Sequence, residues 1–222
     1  MSIEVHCVRA GMANAYLIAS ETGLILIDAG SPGQEGVILA HMQSLERSDL
    51  RLIFITHAHY DHYGSAAAVR RMTGAPVAIH PADAAAIALG KTHLGYVRGW
   101  GRLVRIFLPL AEYISRVEPL MANILLQEGG DLGEFGLSAR VLHTPGHTPG
   151  SCTLLVDGRL AFAGDLISTT GSPHIQRYFA DDWAQVDQSV SRLMQVSPQF
   201  VYPGHGRHPL SADQLHRLNV SI

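Results

Sequence analysis

Cysteine is scarce in this chain, two residues in 222, Cys7 and Cys152. A disulfide framework is therefore not what stabilises it, and a reducing cytoplasm is the expected setting. No apolar run approaches the roughly 20 residues of a membrane span, so none is expected. The opening Met1-Ser2-Ile3-Glu4-Val5-His6-Cys7-Val8-Arg9 has an early acid and no continuous apolar stretch, which predicts no secretory signal. Basic charge is not in excess either: 16 Lys and Arg face 19 Asp and Glu, for a net −3. A nucleic-acid partner is not expected at that balance. No low-complexity tract or internal repeat stands out, and the length suits a single domain over residues 1–222 that buries about 70% of its unfolded surface.

What the chain does have is histidine, 13 residues, and a group of them in Thr56-His57-Ala58-His59-Tyr60-Asp61-His62. The run before it, Leu50 to Thr56, is apolar and β-branched, as in a buried strand, and the Ala-rich stretch from Gly64 to Met72 reads as a helix. The group thus occupies a strand-to-helix loop. His57 and His59, two apart in extended chain, point to one side, while Asp61 and His62 address a second point. Three more candidates follow apolar runs: His147 in Thr144-Pro145-Gly146-His147-Thr148-Pro149-Gly150, Asp165 after Leu160 to Gly164, and His205 after Gln199 to Gly204. All are read as strand ends. Imidazole and carboxylate suit zinc, manganese or iron, and a carboxylate can bridge two cations, for which Asp165 is the candidate.

Further strands are read near 3–8, 14–20, 24–28 and 77–80, with helices near 33–46, from Pro81 to Leu89, and from Asp182 to Gln195. Paired strands resume near Asp131. Two similar halves fit a sandwich of two sheets.

The pattern His-x-His-x-Asp-His, then His, then Asp, then His resembles the metallo-β-lactamase superfamily, with a glyoxalase II-like pair of metal sites. The likeness runs from Leu24-Ile25-Leu26-Ile27-Asp28-Ala29-Gly30 to Pro203-Gly204-His205-Gly206. It implies an α/β fold, a four-layer αββα sandwich. It also implies one metal on His57, His59 and His147, another on Asp61, His62 and His205, and Asp165 between them. Asp28 matches a position that supports ligands by hydrogen bonding and binds no metal. The implied function is hydrolysis of an ester, lactone or thioester by a hydroxide bridging two metal ions, two Zn2+ with Mn2+ or Fe as alternatives, and Asp61 is the residue placed to orient the nucleophile.

Departures from subfamilies narrow the substrate. True metallo-β-lactamases usually lack an aspartate like Asp165, which argues against antibiotic hydrolysis. Glutathione-thioester hydrolases typically carry Gly-Cys-Gly-Arg where this chain has Leu166 to Gly171, and homoserine-lactone hydrolases a tyrosine where it has Ser168. Two other activities of the superfamily stay open: a persulfide dioxygenase using one iron on residues matching His57, His147 and Asp165, and a phosphodiesterase. His174 and Arg177, soon after Asp165, are candidates to meet a small-molecule substrate. The remaining histidines, His6, His41, His80, His93, His143, His208 and His216, are read as non-ligands because the pattern is full.

Between the halves lies a helical insertion at about 90–126 with five Lys or Arg against two Glu, a net +3 in a chain of net −3. Arg98, Arg102 and Arg105 recur at helical spacing, with Leu103, Val104, Ile106, Phe107 and Leu110 around them. A helix packed on the core or a homodimer contact is one reading of this segment, and a cap over the site is the other.

Overall fold

The computed structural model describes residues 3–92 and 94–219. The apolar runs of the first half become strands β1 (Glu4–Ala10), β2 (Ala13–Ser20) and β3 (Gly23–Ile27), then helix α1 (Glu35–Ser44), strand β4 (Leu50–Phe54), a single helical turn α2 (Tyr60–Tyr63) and helix α3 (Ala66–Thr73). Strand β5 (Val77–Ile79) and helix α4 (Pro81–Ala88) follow. The insertion contributes strand β6 (Tyr96–Val97), helix α5 (Gly101–Ser115) and strand β7 (Ile124–Leu125). The second half supplies β8 (Ala139–His143), β9 (Cys152–Val156), β10 (Leu160–Thr169), β11 (His174–Ile175), β12 (Phe179–Ala180), α6 (Trp183–Val196), β13 (Phe200–Gly206), β14 (Leu210–Ser211) and α7 (Ala212–His216).

Two sheets result. One has the order β1-β2-β3-β4-β5-β7, antiparallel through β3 and parallel from β3 onward; the other runs β14-β13-β10-β9-β8 with β11 beside β10. Their inner and outer faces are both buried, and this is why the strands read as continuous apolar runs without alternation. On β3, Leu24 and Leu26 pack under Ile38 and Met42 of α1, Val69 of α3 and Ile87 of α4, while Ile25 and Ile27 point the other way. There they meet Leu52 and Phe54 of β4 and, from the second sheet, Val141, Leu154 and Phe162. Leu155 of β9 faces outward again, onto Val186, Val190 and Leu193 of α6. Three apolar layers between four layers of structure make an αββα sandwich, and each Leu, Ile or Phe so buried stabilises it by about 1.5–3 kcal/mol. No helix among the described residues is long and apolar enough to cross a membrane.

The structure departs from expectation in several places that matter to the site. Strand β3 stops at Ile27, because Asp28 takes a left-handed conformation with φ of 57° and leaves the sheet. Asp61 and His62 sit in their own turn, α2, ahead of α3. Asp165 does not end its strand: β10 continues to Thr169, and the pairing with β13 slips between Gly164 and Ser168, so Asp165 lies in an irregular stretch that turns its side chain out of the ladder. Arg98 is not on the helical face with Arg102 and Arg105. Gly99-Trp100-Gly101 delays α5, and the Arg98 guanidinium lies 4.2 Å over the Trp183 ring. Nor does α5 bury its apolar stripe, since Ile106, Phe107 and Ile114 are exposed.

Candidate metal centre

Side chains from both sheets converge at one end of the sandwich. His57 and His59 leave the end of β4, Asp61 and His62 ride on α2, His147 comes from the loop after β8, and Asp165 and His205 from adjacent β10 and β13. The seven residues singled out by spacing are thereby brought together. They form two groups of potential ligand atoms, His57, His59, His147 and Asp165 in one, Asp61, His62 and His205 in the other. His147 Nε2 lies 3.2 Å from His57 Nε2 and 3.0 Å from His59 Nδ1. Asp165 joins the groups: Oδ2 is 3.5 Å from His147 Nε2, while Oδ1 is 3.1 Å from His62 Nε2 and 3.3 Å from His205 Nε2. Asp61 Oδ2 is 3.4 Å from His205 Nε2.

Buried polar atoms are ordinarily satisfied. Here His62 Nε2 and Asp165 Oδ1 are buried with no hydrogen-bond partner. Gly204 passes so close that a Cβ there would stand 2.5 Å from Asp165 Oδ1. Converging imidazole nitrogens and an orphaned carboxylate oxygen in a pocket kept open by a glycine are the donor set that divalent cations fill. The residues fit that group.

The Nδ1 atoms of His57, His62, His147 and His205 are each engaged, which fixes the orientation of these four rings. Asp28 Oδ2 lies 2.8 Å from His62 Nδ1, and the same carboxylate accepts from Thr56 N and Thr56 Oγ1, both at 2.8 Å. Thr56 Oγ1 in turn sits 3.0 Å from His57 Nδ1. His147 Nδ1 donates to the Phe179 carbonyl at 2.9 Å and His205 Nδ1 to the Met12 carbonyl at 3.0 Å. With Nδ1 protonated on each of these rings, Nε2 of the neutral ring would turn its lone pair toward the centre.

Two further residues support the site that the sequence reading passed over. Asp83, taken only as a helix opener, is buried and accepts from Ala58 N at 2.8 Å, Thr148 Oγ1 at 2.7 Å and Gly150 N at 2.7 Å. It ties the loop of His57 and His59 to the loop of His147. Gln176 Oε1 accepts from the Arg177 and Tyr178 amides, each at 3.0 Å, while its Nε2 donates to Asp165 O at 3.2 Å. Its sequence signal is nil, a lone glutamine. That clamp holds the strand whose Phe179 carbonyl orients His147.

Charge divides the two groups. Burial, reinforced by the neighbouring rings, drives His57 well below the ordinary imidazole range and His147 down to about 3. Burial opposes charge on His62 and His205 as well, but the carboxylates outweigh it. Asp165 and Asp28 hold His62 well above its usual value, and Asp165 with Asp61 raises His205 to about 9. Burial would raise the Asp165 carboxyl, yet His205 and His62 hold it well below the carboxylate range. So protons occupy the second group where a cation would otherwise neutralise the acids.

Beside the centre lies a cavity of about 230 Å³ reached by Asp165, His205, Ser168, His174, Arg177 and Tyr178. His174 gives Nδ1 to the Ser172 carbonyl at 2.8 Å, and the exposed Arg177 guanidinium lies 5.1 Å from the Tyr178 ring centre. The other described histidines stand apart from both groups; His80 and His143 stack on each other, their ring centres 4.1 Å apart. His93 lies outside the described residues.

Residues 8–205 match the family model of the metallo-β-lactamase superfamily. The chain is similar to the probable metallo-hydrolase YflN of Bacillus subtilis, 30% identical over 91% of this chain and 83% of that protein. It is also similar to the β-lactamase-like protein 2 homolog of Drosophila melanogaster, 28% identical over 87% of this chain, although it spans only 58% of that longer protein. Among solved structures, the di-iron-bound form of TTHA1623 superposes with a TM-score of 0.72 at 28% identity, covering 97% of this chain and 98% of that one. With the fold, the converging side chains and a family match across most of its length in agreement, the chain belongs to the metallo-β-lactamase superfamily of metallo-hydrolases.

Proposed function

We propose that the chain hydrolyses an ester, lactone or thioester at a pair of divalent cations, zinc foremost, with manganese or iron as alternatives. The observation that carries this reading is the division of the Asp165 carboxylate, one oxygen toward His147 and the other toward His62 and His205. A bound cation pair would supply an acidified water and polarisation of the scissile carbonyl. His57, His59 and His147 would hold one, Asp61, His62 and His205 the other, and Asp165 would bridge. Asp61 Oδ2, on the rim of the second group, is placed to orient the attacking water and accept its proton. A second, complete group on Asp165 Oδ1 favours this over the single-iron dioxygenase. TTHA1623, which holds two irons, keeps iron among the candidate metals.

In this reading the cavity beside Asp165 takes the acyl or alcohol portion of a small substrate. Arg177 would meet a carboxylate or phosphate at the rim. His174, its Nδ1 committed to the Ser172 carbonyl, has Nε2 left to exchange a proton with a leaving group. Metal content of protein purified without chelating tags is the deciding measurement. About two equivalents of zinc, manganese or iron per chain, with turnover of a lactone, thioester or aryl ester that is lost on chelation and restored by metal, is the expected result. One equivalent of iron with oxygen consumption on a persulfide would overturn it.

A further inference from the structure

Helix α5 is amphipathic with its apolar side turned to solvent. At 3.6 residues per turn, Leu103, Ile106, Phe107, Leu110, Tyr113 and Ile114 share an arc of about 120°. All six are exposed, Ile106 by 67%, Phe107 by 62% and Ile114 by 68%. The opposite side supplies Leu108, buried, and Gly101, whose missing Cβ lets the backbone approach the Phe179 ring. Soluble proteins rarely leave a contiguous apolar stripe of this kind uncovered. Arg102 and Arg105 flank it, Arg116 follows its end, and these three make no ion pair among the described residues. Trp100 and Tyr96, 72% and 70% exposed, stand at its start.

We propose that α5 is an interfacial helix that docks the protein on an anionic lipid surface. Apolar residues on one face, arginines at its flank and aromatic residues with polar tips at the edge are the composition that settles at the boundary between headgroups and acyl chains. Charge selects this occupant over a second copy. The insertion is net +3, and Glu118 is already bonded to Arg71 at 2.6 Å, so pairing two copies through α5 would bring like-charged flanks together. An anionic surface neutralises them. The rest of the chain, at net −6, is repelled by that surface, which leaves the α5 face as the side that lands. β6 pairs with β12, Phe179 opposite Val97, and Arg98 N donates to Tyr178 O at 2.9 Å. Docking through α5 therefore sets the cavity lined by Tyr178 and Phe179 beside the lipid.

The test needs neither metal nor substrate. The full chain is titrated with vesicles of phosphatidylcholine alone and of phosphatidylcholine mixed with phosphatidylglycerol, followed by co-sedimentation and by tryptophan emission. Binding at least about tenfold tighter to the anionic vesicles, weakened by salt and accompanied by a blue shift from Trp100, is expected. Ile106→Ser, Phe107→Ser and Leu110→Ser combined should abolish binding with the melting temperature little changed, because these side chains are more than half exposed. Arg102→Gln with Arg105→Gln should erase the preference for anionic lipid. Absence of binding to either vesicle overturns the proposal. So does a concentration-dependent dimer in sedimentation that the triple variant returns to monomer without any vesicle binding.

Discussion

Asp83 and Thr148, 65 residues apart in the chain, are joined by a 2.7 Å hydrogen bond from the threonine hydroxyl to the carboxylate. The same carboxylate takes the amides of Ala58 and Gly150, so one buried acid sets the spacing of the loops that carry His57, His59 and His147. Asp83→Ala strands two buried amides and a hydroxyl, each costing about 1–3 kcal/mol. A fall of roughly 2–5 kcal/mol in unfolding free energy, measured by denaturant titration in chelator, is expected, together with a metal affinity about 10–100-fold weaker. Unchanged values for both would remove Asp83 from the support of the centre.

Asp61→Ala should lower kcat by about 10²–10⁴-fold with whatever substrate the metal-loaded protein turns over, while KM changes little. The side chain lies at the rim of the second group, and circular dichroism should match the parent. A variant with full kcat would refute its role.

Gly204→Ala places a methyl group where Asp165 Oδ1 and His62 Cε1 stand, 2.5 and 2.6 Å from the new carbon. Overpacking costs about 1–3 kcal/mol, but the sharper consequence is displacement of the Asp165 carboxylate. Elemental analysis is expected to drop below one cation per chain in a protein that still melts cooperatively.

Metal loading should depend on pH differently in the two groups. His57 and His147 are held low, so at neutral pH they are already neutral and a cation displaces no proton from them. His62 and His205 are held high, His205 to about 9, so a cation entering the second group must displace protons. Affinity there should rise with pH through about 9, since deprotonated rings favour the bound state. Affinity at the first group should be flat over the neutral range. Calorimetry in buffers of different ionisation enthalpy separates the two, and proton release confined to the first group would contradict the assignment.

Stability of the cation-free protein carries the same signs. His205, raised above its unfolded value, contributes stability that is full below about 6.5 and is lost as pH rises through about 9. His147, lowered to about 3, removes stability as pH falls from about 6.5 toward 3, because the unfolded chain binds the proton that the buried ring refuses. Melting curves across this range should peak between the two limits.

The cluster of candidate ligands was legible because its chemistry is rare and its spacing is local: His57 to His62 lie within six residues, and His147, Asp165 and His205 each follow an apolar run. The sandwich was legible for a related reason, since strands buried on both faces leave unbroken runs such as Leu24 to Ile27 and Cys152 to Val156. Asp83 was not, because an aspartate in a helix's first turn looks the same whether it faces water or ties two loops together. Gln176 gave no signal at all. The slip in β10 was hidden too, since pairing register belongs to two strands and not to either sequence. Arg98 was misplaced because residue spacing alone does not reveal that Gly99 to Gly101 delays the helix. Periodicity found the apolar stripe of α5 but carries no information on which side the molecule lies.

The ligand-bearing segments enter in a fixed order along the chain, and the last, His205, rides on β13 beside β10, 148 residues after His57. During synthesis, His57 and His59 emerge when neither Asp165 nor His205 exists to complete either group. A chain released early or stalled before β13 thus presents soft, incomplete claws instead of a cage. On the proposed reading, tight capture of a cation pair would report that both sheets have closed on each other, making metal binding a check on its own host's assembly.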